Sequence, residues 1–399
     1  MAGLAARGLA ALSAVSIAGV LLLGSGPALP ASAAETACDP ESPTLLTQAP
    51  PALAQLGIAS VRRLSSGAVR VAVVDSGVDA KNPHLAAAVD AGWDFVAGRA
   101  GGGTDTDGGG TAVAGQIAAR PVRGSSVVGV AGAARIVPVR VYESTENGAV
   151  NPTAKRTAEG IAWASDQPGV KVIVVPRVLD TDSADLRRSV ARATAHGALV
   201  VAAAGDAGQD EASSRVMFPA GYPDALSVTA VDAQGSVPDA VRHGPHIELA
   251  VPGAQVATAY FGGDCVLADP TPSTFYAAGY AGGVAALVAA AHPDEEPADW
   301  EYRLLATALR PKGADRDQRV GWGLVAPYNA INFVNDATPL GPKNPRFPAP
   351  ESTVAPAMVP PVAAPEDVEH VEWPLASILF AAAALTVAAL LFRRLRTPS

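Results

Sequence analysis

Short runs of aliphatic and β-branched residues alternate with alanine-rich segments through the middle of the chain. Five runs have the composition of strands: VRVAVVDSG, RIVPVRVY, VKVIVVPRV, ALVVAAAGD and ALSVTAV. Several lack a polar residue at every second position, as expected for strands buried on both faces of a parallel sheet. Residues 153–165 and 183–196 have the pattern of helices. This alternation predicts an α/β fold with a mostly parallel sheet covered by helices.

The N-terminus has the pattern of a secretory signal peptide. Arg7 precedes an apolar stretch over residues 9–26, and the small-residue run PASAAE offers cleavage after Ala33 or Ala34. A charged start, an apolar centre and a small-residue cleavage site are the three parts of such a signal. The sequence therefore predicts a signal peptide at 1–34, with an N-terminal membrane anchor as the alternative.

The C-terminus carries a second apolar segment. Residues 374–392 contain no charge and, as a helix, would be roughly 28 Å long at 1.5 Å per residue. RRLR follows at once, and positive charge favours the cytoplasmic side. We expect a transmembrane helix at 373–393, a cytoplasmic tail at 394–399, and a single-pass type I protein of the cell membrane. A buried core helix is the alternative, although a proline-rich stretch before the segment argues against it.

The region between the two ends divides into three parts. Residues 35–66 form a polar N-terminal extension, 67–335 a globular domain, and 336–372 a proline-rich linker of the semi-rigid kind. The hydrophobic fraction of 49% supports a large core. The net charge of −9 and the absence of a clustered basic patch in this region argue against nucleic-acid binding.

Two cysteines occur in the whole chain, Cys38 and Cys265. In an extracytoplasmic compartment two cysteines most simply pair, which would tie the N-terminal extension to a late part of the domain. Two free thiols are the alternative.

Several motifs resemble one enzyme family. VAVVDSGVDAKNPHL at residues 71–85 ends a strand in Asp-Ser-Gly, and is similar to the catalytic-aspartate motif of the subtilases, the subtilisin-like serine peptidases of family S8. GVAGAARIVPVRV and LVVAAAGD resemble two further strands of that family. YAAGYAGGVAALVAAAHP resembles the helix that follows its nucleophile, and GWGLVAPYNAI the end of its domain. The resemblance covers about residues 55–333 and implies a subtilisin-like three-layer fold.

The segments that flank the domain narrow the resemblance. A signal peptide, a cysteine-containing extension, a proline-rich linker and one C-terminal span together resemble the mycosins, membrane-anchored subtilases associated with type VII secretion in actinobacteria. This likeness implies that the partners are components of the type VII secretion membrane complex. It also implies that the C-terminal helix anchors the protein in the membrane, with the main domain outside.

Three of the four catalytic positions depart from the family pattern. The family's D-G-H-G-T is here DGGGT, which puts Gly109 at the histidine position. Its G-T-S-x-A-x-P is here STFYAAG, which puts Phe275 at the serine position. Its oxyanion-hole asparagine is here Asp206, whereas Asp75 keeps the catalytic acid.

These replacements remove the side chains on which the family's chemistry depends. Acyl transfer by a subtilase needs a serine oxygen, an imidazole to take its proton, and donors for the oxyanion. Gly109 provides no imidazole, and Phe275 provides no serine oxygen. The sequence therefore predicts that the chain is not an enzyme. The predicted role is that of a pseudoprotease in scaffolding or partner binding.

Two other functions stay open from the sequence. The first is an active S8 serine endopeptidase with relocated catalytic residues such as Ser273. The second is an extracytoplasmic module that binds a peptide in the cleft beside Phe275 and Tyr276. No cofactor is expected. Asp105 and Asp107 in DTDGGG suggest calcium, but the glutamate at loop position 12 that completes an EF-hand is missing, so we expect no metal.

Overall fold

The computed structural model describes residues 38–146, 149–208, 212–310, 315–337, 341–347 and 387–388. The chain divides into two units, Met1–Ala349 and Pro350–Ser399, and every element named below lies in the first. Residues 387 and 388 are the described part of the second unit and are helical. The predicted signal peptide and nearly all of the predicted span at 373–393 lie outside the described residues.

A central sheet forms the middle layer of the domain. Its strands are β1 Arg70–Asp75, β2 Gly92–Asp94, β3 Arg99–Gly101, β4 Arg135–Arg140, β5 Val170–Val175, β6 Leu199–Ala203, β7 Ala225–Val231 and β8 Leu249–Pro252. They lie in the order β3-β2-β4-β1-β5-β6-β7-β8. β2 and β3 pair antiparallel and every other neighbouring pair is parallel, which confirms the prediction of a mostly parallel sheet. A separate antiparallel hairpin consists of β9 Val256–Tyr260 and β10 Gly263–Leu267.

Eight helices are described. They are α1 Pro51–Gln55, α2 Ile58–Val61, α3 Gly109–Ala118, α4 Ala154–Ser165, α5 Ala184–Ala195, α6 Thr274–Ala291, α7 Pro297–Ala306 and α8 Pro327–Asn332. The helices predicted from the residue pattern at 153–165 and 183–196 are α4 and α5. Each begins after a hydroxyl residue, Thr153 or Ser183, whose side chain accepts a hydrogen bond from a first-turn N–H group.

The sheet has a hydrophobic core on each face. Along β1, Val71 and Val73 pack into one core, which includes residues of α3 and α6. Ala72 and Val74 point the other way, into a core with residues of α4 and α5. Because side chains alternate along a strand, a strand that is apolar throughout fits between two helix layers. The subtilisin-like three-layer fold is confirmed.

Helix α6 passes through the centre of the first core. Among the described residues it is the helix with the length and apolar composition to cross a membrane, but 78% of it is buried inside the domain. A helix that is apolar on all sides is typical of such a buried position. Gly282 lets α6 approach β5, because a Cβ there would overlap the Val174 side chain.

The N-terminal extension is fastened to the hairpin at three points. The structure joins Cys38 to Cys265 in a disulfide, with Cα atoms 5.6 Å apart. One residue before Cys265, the Asp264 backbone N–H donates to the Thr44 carbonyl at 2.8 Å. The Asp264 carboxylate accepts a hydrogen bond from the Leu46 N–H at 2.9 Å. The extension is therefore part of the folded domain from residue 38 onward.

Candidate active site

Asp75 lies at the carboxyl end of β1, near the middle of the sheet, where functional groups collect in open α/β folds. Its side chain is completely buried. The Oδ1 atom accepts hydrogen bonds from Tyr142 Oη at 2.8 Å and from Ser76 Oγ at 3.0 Å. Burial raises the pKa of Asp75 to about 6, with the charge of Arg177 acting in the opposite direction.

The loop that leads into α3 is held by Asp105. Its Oδ1 atom accepts from the backbone N–H groups of Asp107 and Gly108, at 3.0 and 2.9 Å. Its Oδ2 atom accepts from the Thr111 N–H at 2.9 Å and from Thr111 Oγ1 at 2.6 Å. This carboxylate therefore caps the start of α3, an ordinary structural role for an acid at a helix N-terminus. Within the described ranges, no cluster of three or more His, Cys, Asp or Glu residues has the geometry for a metal ion.

Gly109 is the first residue of α3 and faces Phe275. A Cβ at Gly109 would lie 2.9 Å from Phe275 Cζ, and 3.2 Å from both Asp75 Oδ1 and Asp107 Oδ2. The structure thus brings positions 75, 109 and 275 together, from β1, α3 and α6. The Phe275 ring fills the space in front of Gly109, so a larger side chain at 109 requires the ring to move.

Asp206 lies just beyond β6 and binds the first residues of α6. Its Oδ2 atom accepts from Ser273 Oγ at 2.6 Å, and its Oδ1 atom accepts from the N–H and Oγ1 of Thr274, both at 2.8 Å. Ser273 Oγ in turn accepts from the N–H of Phe275 at 3.3 Å. Asp206 and Ser273 therefore form an exposed pair immediately beside Phe275, at the N-terminus of the longest described helix.

Arg177 has no role in the sequence-based prediction, but the structure places it in this site. It follows β5, and its Nε donates to Tyr142 Oη at 3.2 Å. Its Nη2 lies 3.5 Å from Asp107 Oδ2, and its Cζ lies 4.7 Å from the centre of the Phe275 ring. Burial lowers the pKa of Arg177, but Tyr142 and the charge of Asp75 outweigh burial and leave that pKa above its ordinary value. A basic residue just past a buried central strand, in VIVVPRV, was the signal for it.

Tyr142 was also missed from the sequence. It lies two residues beyond β4, the neighbour of β1, and is completely buried. The carboxyl ends of these two parallel strands meet at one edge, and the ladder pairs Asp75 with Arg140 there. A tyrosine at the end of a neighbouring strand was therefore the available signal. Burial and the charge of Asp75 raise the pKa of Tyr142 well above its ordinary value, so it remains a hydrogen-bond donor.

An aromatic wall closes one side of the site. It consists of Tyr260, Phe261, Phe275 and Tyr276, of which the first two come from the end of the β9–β10 hairpin and the last two from α6. The rings of Tyr260 and Phe261 meet edge to face at 4.6 Å, and those of Phe275 and Tyr276 at 5.1 Å. Gly108 is in the left-handed region with φ +85°, and a Cβ there would overlap the Tyr260 ring. The wall therefore packs directly on the glycine loop.

Four of the five described histidines make polar contacts elsewhere. His84 Nε2 lies 2.9 Å from Asp264, His196 lies 3.1 Å from Asp166, and His292 lies 2.8 Å from the Ile331 carbonyl. His243 lies 3.4 Å from Ser213 Oγ. None of these contacts involves Asp75 or Ser273.

The globular domain matches a family model described as the Subtilase family, over residues 66–323. Thermitase of Thermoactinomyces vulgaris is 34% identical over 202 residues, which are 49% of this chain and 66% of thermitase. Subtilisin E of Bacillus subtilis is 32% identical over 240 residues, 60% of each chain. The matched segments thus span slightly less than two thirds of these relatives.

Solved structures of mycosins are similar over most of the domain. MycP1 from Mycobacterium smegmatis has a TM-score of 0.64 at 26% identity, covering 77% of this chain and 92% of that one. A serine protease MycP1, described as an essential component of the type VII (ESX-1) secretion system, has a TM-score of 0.65 at 27% identity, covering 73% and 92%. MycP3 protease from the type VII (ESX-3) secretion system has 0.62 at 28% identity, covering 75% and 91%.

These relatives correct one prediction. The sequence predicted that the chain is not an enzyme, and that prediction is wrong, because the family model and the similar proteins are those of serine proteases. Gly109 and Phe275 rule out an imidazole and a hydroxyl at two positions. They do not rule out catalysis by other groups.

Proposed function

Because this chain belongs to the subtilase family, and is mycosin-like within it, we propose that it works in a type VII secretion system as a peptide-binding component. Two similar structures support this context, since MycP1 and MycP3 belong to the ESX-1 and ESX-3 systems. The proposal places the domain outside the cell membrane, anchored by the helix at 373–393. Its partners are other components of the secretion membrane complex, whose assembly it supports.

One structural observation supports the proposal that the chain binds a peptide. The four motif positions converge at the carboxyl edge of the sheet, and their surroundings combine a half-buried aromatic pair with polar groups open to solvent. Phe275 and Tyr276 supply the aromatic faces, whereas Asp206 and Arg177 supply charges of both signs. Apolar walls with a few placed polar groups are the usual composition of a ligand cleft.

The role in the complex is tested by deletion in the native host. Solubilised membranes are compared on native gels before and after removal of the chain, with complementation by the full-length protein. The proposal expects a smaller or less abundant secretion complex that complementation restores. A complex of unchanged size and amount would contradict the role in assembly.

Peptide binding is tested separately with the purified full chain in detergent. Peptides covering secreted substrates are titrated against the wild-type protein and against Tyr276→Ala. We expect saturable binding that weakens in the variant, because a half-buried aromatic face is lost. The matched control is Tyr328→Ala, which removes an exposed tyrosine on α8. Equal weakening in both variants, or no saturable binding at all, would contradict a peptide site in this cleft.

A second candidate function is peptide hydrolysis through Ser273, supported by the 2.6 Å hydrogen bond between Ser273 Oγ and Asp206 Oδ2. In this reaction Asp206 takes the hydroxyl proton as Ser273 Oγ attacks the peptide carbonyl. The C–N bond then breaks, the amine leaves with the proton from Asp206, and water hydrolyses the resulting ester. A carboxylate within hydrogen-bond reach of a hydroxyl is the required geometry for such a base.

Covalent labelling with a fluorophosphonate probe tests this reaction. Labelling of the wild-type chain that disappears in Ser273→Ala supports it. Ser183→Ala is the matched control, because Ser183 also caps a helix through its hydroxyl but lies on α5. Labelling that persists in Ser273→Ala, or that is equally weak in both variants, excludes Ser273 as the nucleophile.

A further inference from the structure

The Arg177 guanidinium lies against two aromatic rings and two oxygen acceptors. Its Cζ atom is 4.7 Å from the centre of the Phe275 ring and 5.4 Å from that of the Tyr142 ring. Nε donates to Tyr142 Oη, and Nη2 lies 3.5 Å from Asp107 Oδ2. Ring faces together with oxygen acceptors are what a planar cation binds in proteins.

We propose that Asp107, Tyr142 and Phe275 form a guanidinium subsite of the cleft, which Arg177 occupies and for which an arginine side chain of a bound peptide competes. The proposal rests on the proposed peptide-binding function, because it names the peptide side chain that the cleft accepts.

The acidic surroundings give this subsite its requirement for a cation. Asp75 is completely buried, and its Oδ2 atom has no hydrogen-bond partner. Asp107 keeps only 15% of its side chain exposed. The charge of Arg177 acts on both Asp75 and Tyr142. Since an unpaired carboxylate in a low-dielectric site is strongly destabilised, removal of Arg177 leaves a site that attracts a replacement cation.

The contacts favour a guanidinium over an ammonium group. The cation must meet two ring faces while it donates in one direction to Tyr142 Oη and in another toward Asp107 Oδ2. A planar guanidinium has separate N–H groups for the two oxygens and flat faces for the rings. An ammonium group is a compact point charge and cannot stack in this way.

Arg177 holds the subsite loosely enough for exchange. Its side chain is 30% exposed, and its ion pair with Asp107 is longer, at 3.5 Å, than the roughly 2.7–2.9 Å of a short charge-assisted hydrogen bond. A guanidinium brought by a peptide is not tied to the end of β5. It is therefore free to approach Asp107 more closely than Arg177 does.

Chemical rescue of Arg177→Ala tests the subsite directly. The full chain in detergent is melted with rising methylguanidinium chloride, and with methylammonium chloride or sodium chloride at equal ionic strength. The variant is expected to melt lower than wild type and to recover saturably with methylguanidinium, less with methylammonium, and not with sodium. Wild type is expected to show no saturable recovery. Equal responses to all three salts would overturn the subsite.

Two further variants separate the subsite from a general effect of losing an arginine. Arg215→Ala removes an exposed arginine that pairs with Asp180 at 3.4 Å, and it should show no specific rescue. Arg177→Lys keeps the positive charge but loses the planar group. Its melting temperature should therefore rise less with methylguanidinium than that of Arg177→Ala. Rescue of Arg215→Ala to the same extent would contradict the proposal.

Peptide binding gives a measurement that does not depend on the stability of the variant. A peptide with a central arginine is compared with its citrulline counterpart, which has the same shape without the charge. Wild type should bind the arginine peptide more tightly, by about tenfold for one charge-assisted contact. Equal affinities overturn the subsite while peptide binding stands. If neither peptide binds, the proposed function is contradicted. The methylguanidinium rescue of Arg177→Ala then tests the guanidinium subsite independently of peptide binding.

Discussion

Tyr142 donates its phenolic hydrogen to Asp75 across 2.8 Å, with both side chains fully buried. Tyr142 Oη also accepts from Arg177 Nε, so a donor chain runs from the guanidinium to the carboxylate. The positive charge that acts on Asp75 is therefore that of Arg177, which follows β5. Tyr142 links the two residues by hydrogen bonds. In the family pattern an imidazole contacts the acid. In this chain the donor to Asp75 is instead the hydroxyl of Tyr142, from the segment after β4.

Tyr142→Phe should destabilise the protein mainly at neutral pH. The folded-state pKa of Asp75 is raised to about 6 from an ordinary value of 3.8, so its burial costs stability as the pH rises through that window. Without the tyrosine donor the ionised carboxylate is less well satisfied. We expect a loss of about 1–3 kcal/mol at pH 7.5 and a smaller loss at pH 4.

Urea denaturation at the two pH values checks this prediction. Tyr328→Phe is the control, because Tyr328 is 52% exposed and its loss should change little at either pH. Losses for Tyr142→Phe that are the same at pH 4 and pH 7.5 would show that the hydrogen bond does not depend on the charge of Asp75.

Gly109 and Phe275 should be energetically coupled. A Cβ at position 109 would lie 2.9 Å from Phe275 Cζ, closer than carbon atoms pack. We expect Gly109→Ala alone to cost about 1–3 kcal/mol through overpacking. In a Phe275→Leu background the ring is gone, and the cost of the same change should fall by about 1 kcal/mol.

A double-mutant cycle in thermal or chemical denaturation measures this coupling. Gly98→Ala provides a control, because Gly98 lies in a turn and a Cβ there meets no atom within 4 Å. Its φ of +67° makes any cost one of backbone strain, which should not change in the Phe275→Leu background. Additive effects of the Gly109 and Phe275 changes would mean that the two positions are not in contact.

His84 should stabilise the attachment of the N-terminal extension in a pH-dependent way. Its two ring nitrogens face acceptors, Asp264 Oδ1 at 2.9 Å and the Arg120 carbonyl at 2.7 Å. Burial lowers the pKa of His84, but the hydrogen bonds and charge of these partners outweigh it and raise that pKa above 6.5. The stabilisation is therefore complete below about pH 6.5 and is lost as the pH rises through the folded-state pKa.

His84→Gln should cost about 3 kcal/mol at pH 6, because Asp264 is then buried without its partner. The difference from wild type should shrink at alkaline pH. Hydrogen exchange of the Leu46 amide, which donates to Asp264, reports the attachment directly and should accelerate in the variant. His196→Gln is the control, since His196 pairs with Asp166 at the surface. A stability difference that grows with pH would contradict this sign.

Asp105 should be a structural residue of the glycine loop. It accepts five hydrogen bonds from four residues and is 7% exposed. Asp105→Ala should therefore lower the free energy of unfolding by about 3 kcal/mol or more. Asp39→Ala is the matched control, because the exposed Asp39 accepts one backbone hydrogen bond. Calcium should not change the difference between the two variants, and a calcium-dependent difference would point to a metal at this loop.

The sequence by itself determined the order of the elements and the residues that end the central strands. Apolar runs without polar alternation identified β1, β4, β5, β6 and β7, because strands buried on both faces leave that local pattern. The same runs located Asp75 and Asp206 at strand ends. The family motifs also identified Gly109 and Phe275, which meet in the structure at the starts of α3 and α6. These features depend on short segments, which the sequence records directly.

Only the tertiary structure decided how the charges are paired. Asp75 and Tyr142 are 67 positions apart, and Arg177 and Asp107 are 70 positions apart, so no local pattern links them. The burial of α6 inside the domain was decided in the same way, because its composition alone equally fits a membrane helix. Parallel strands bring their carboxyl ends to one edge of the sheet only after the chain has folded. The neighbours of a buried carboxylate, and hence its chemistry, are set at that stage.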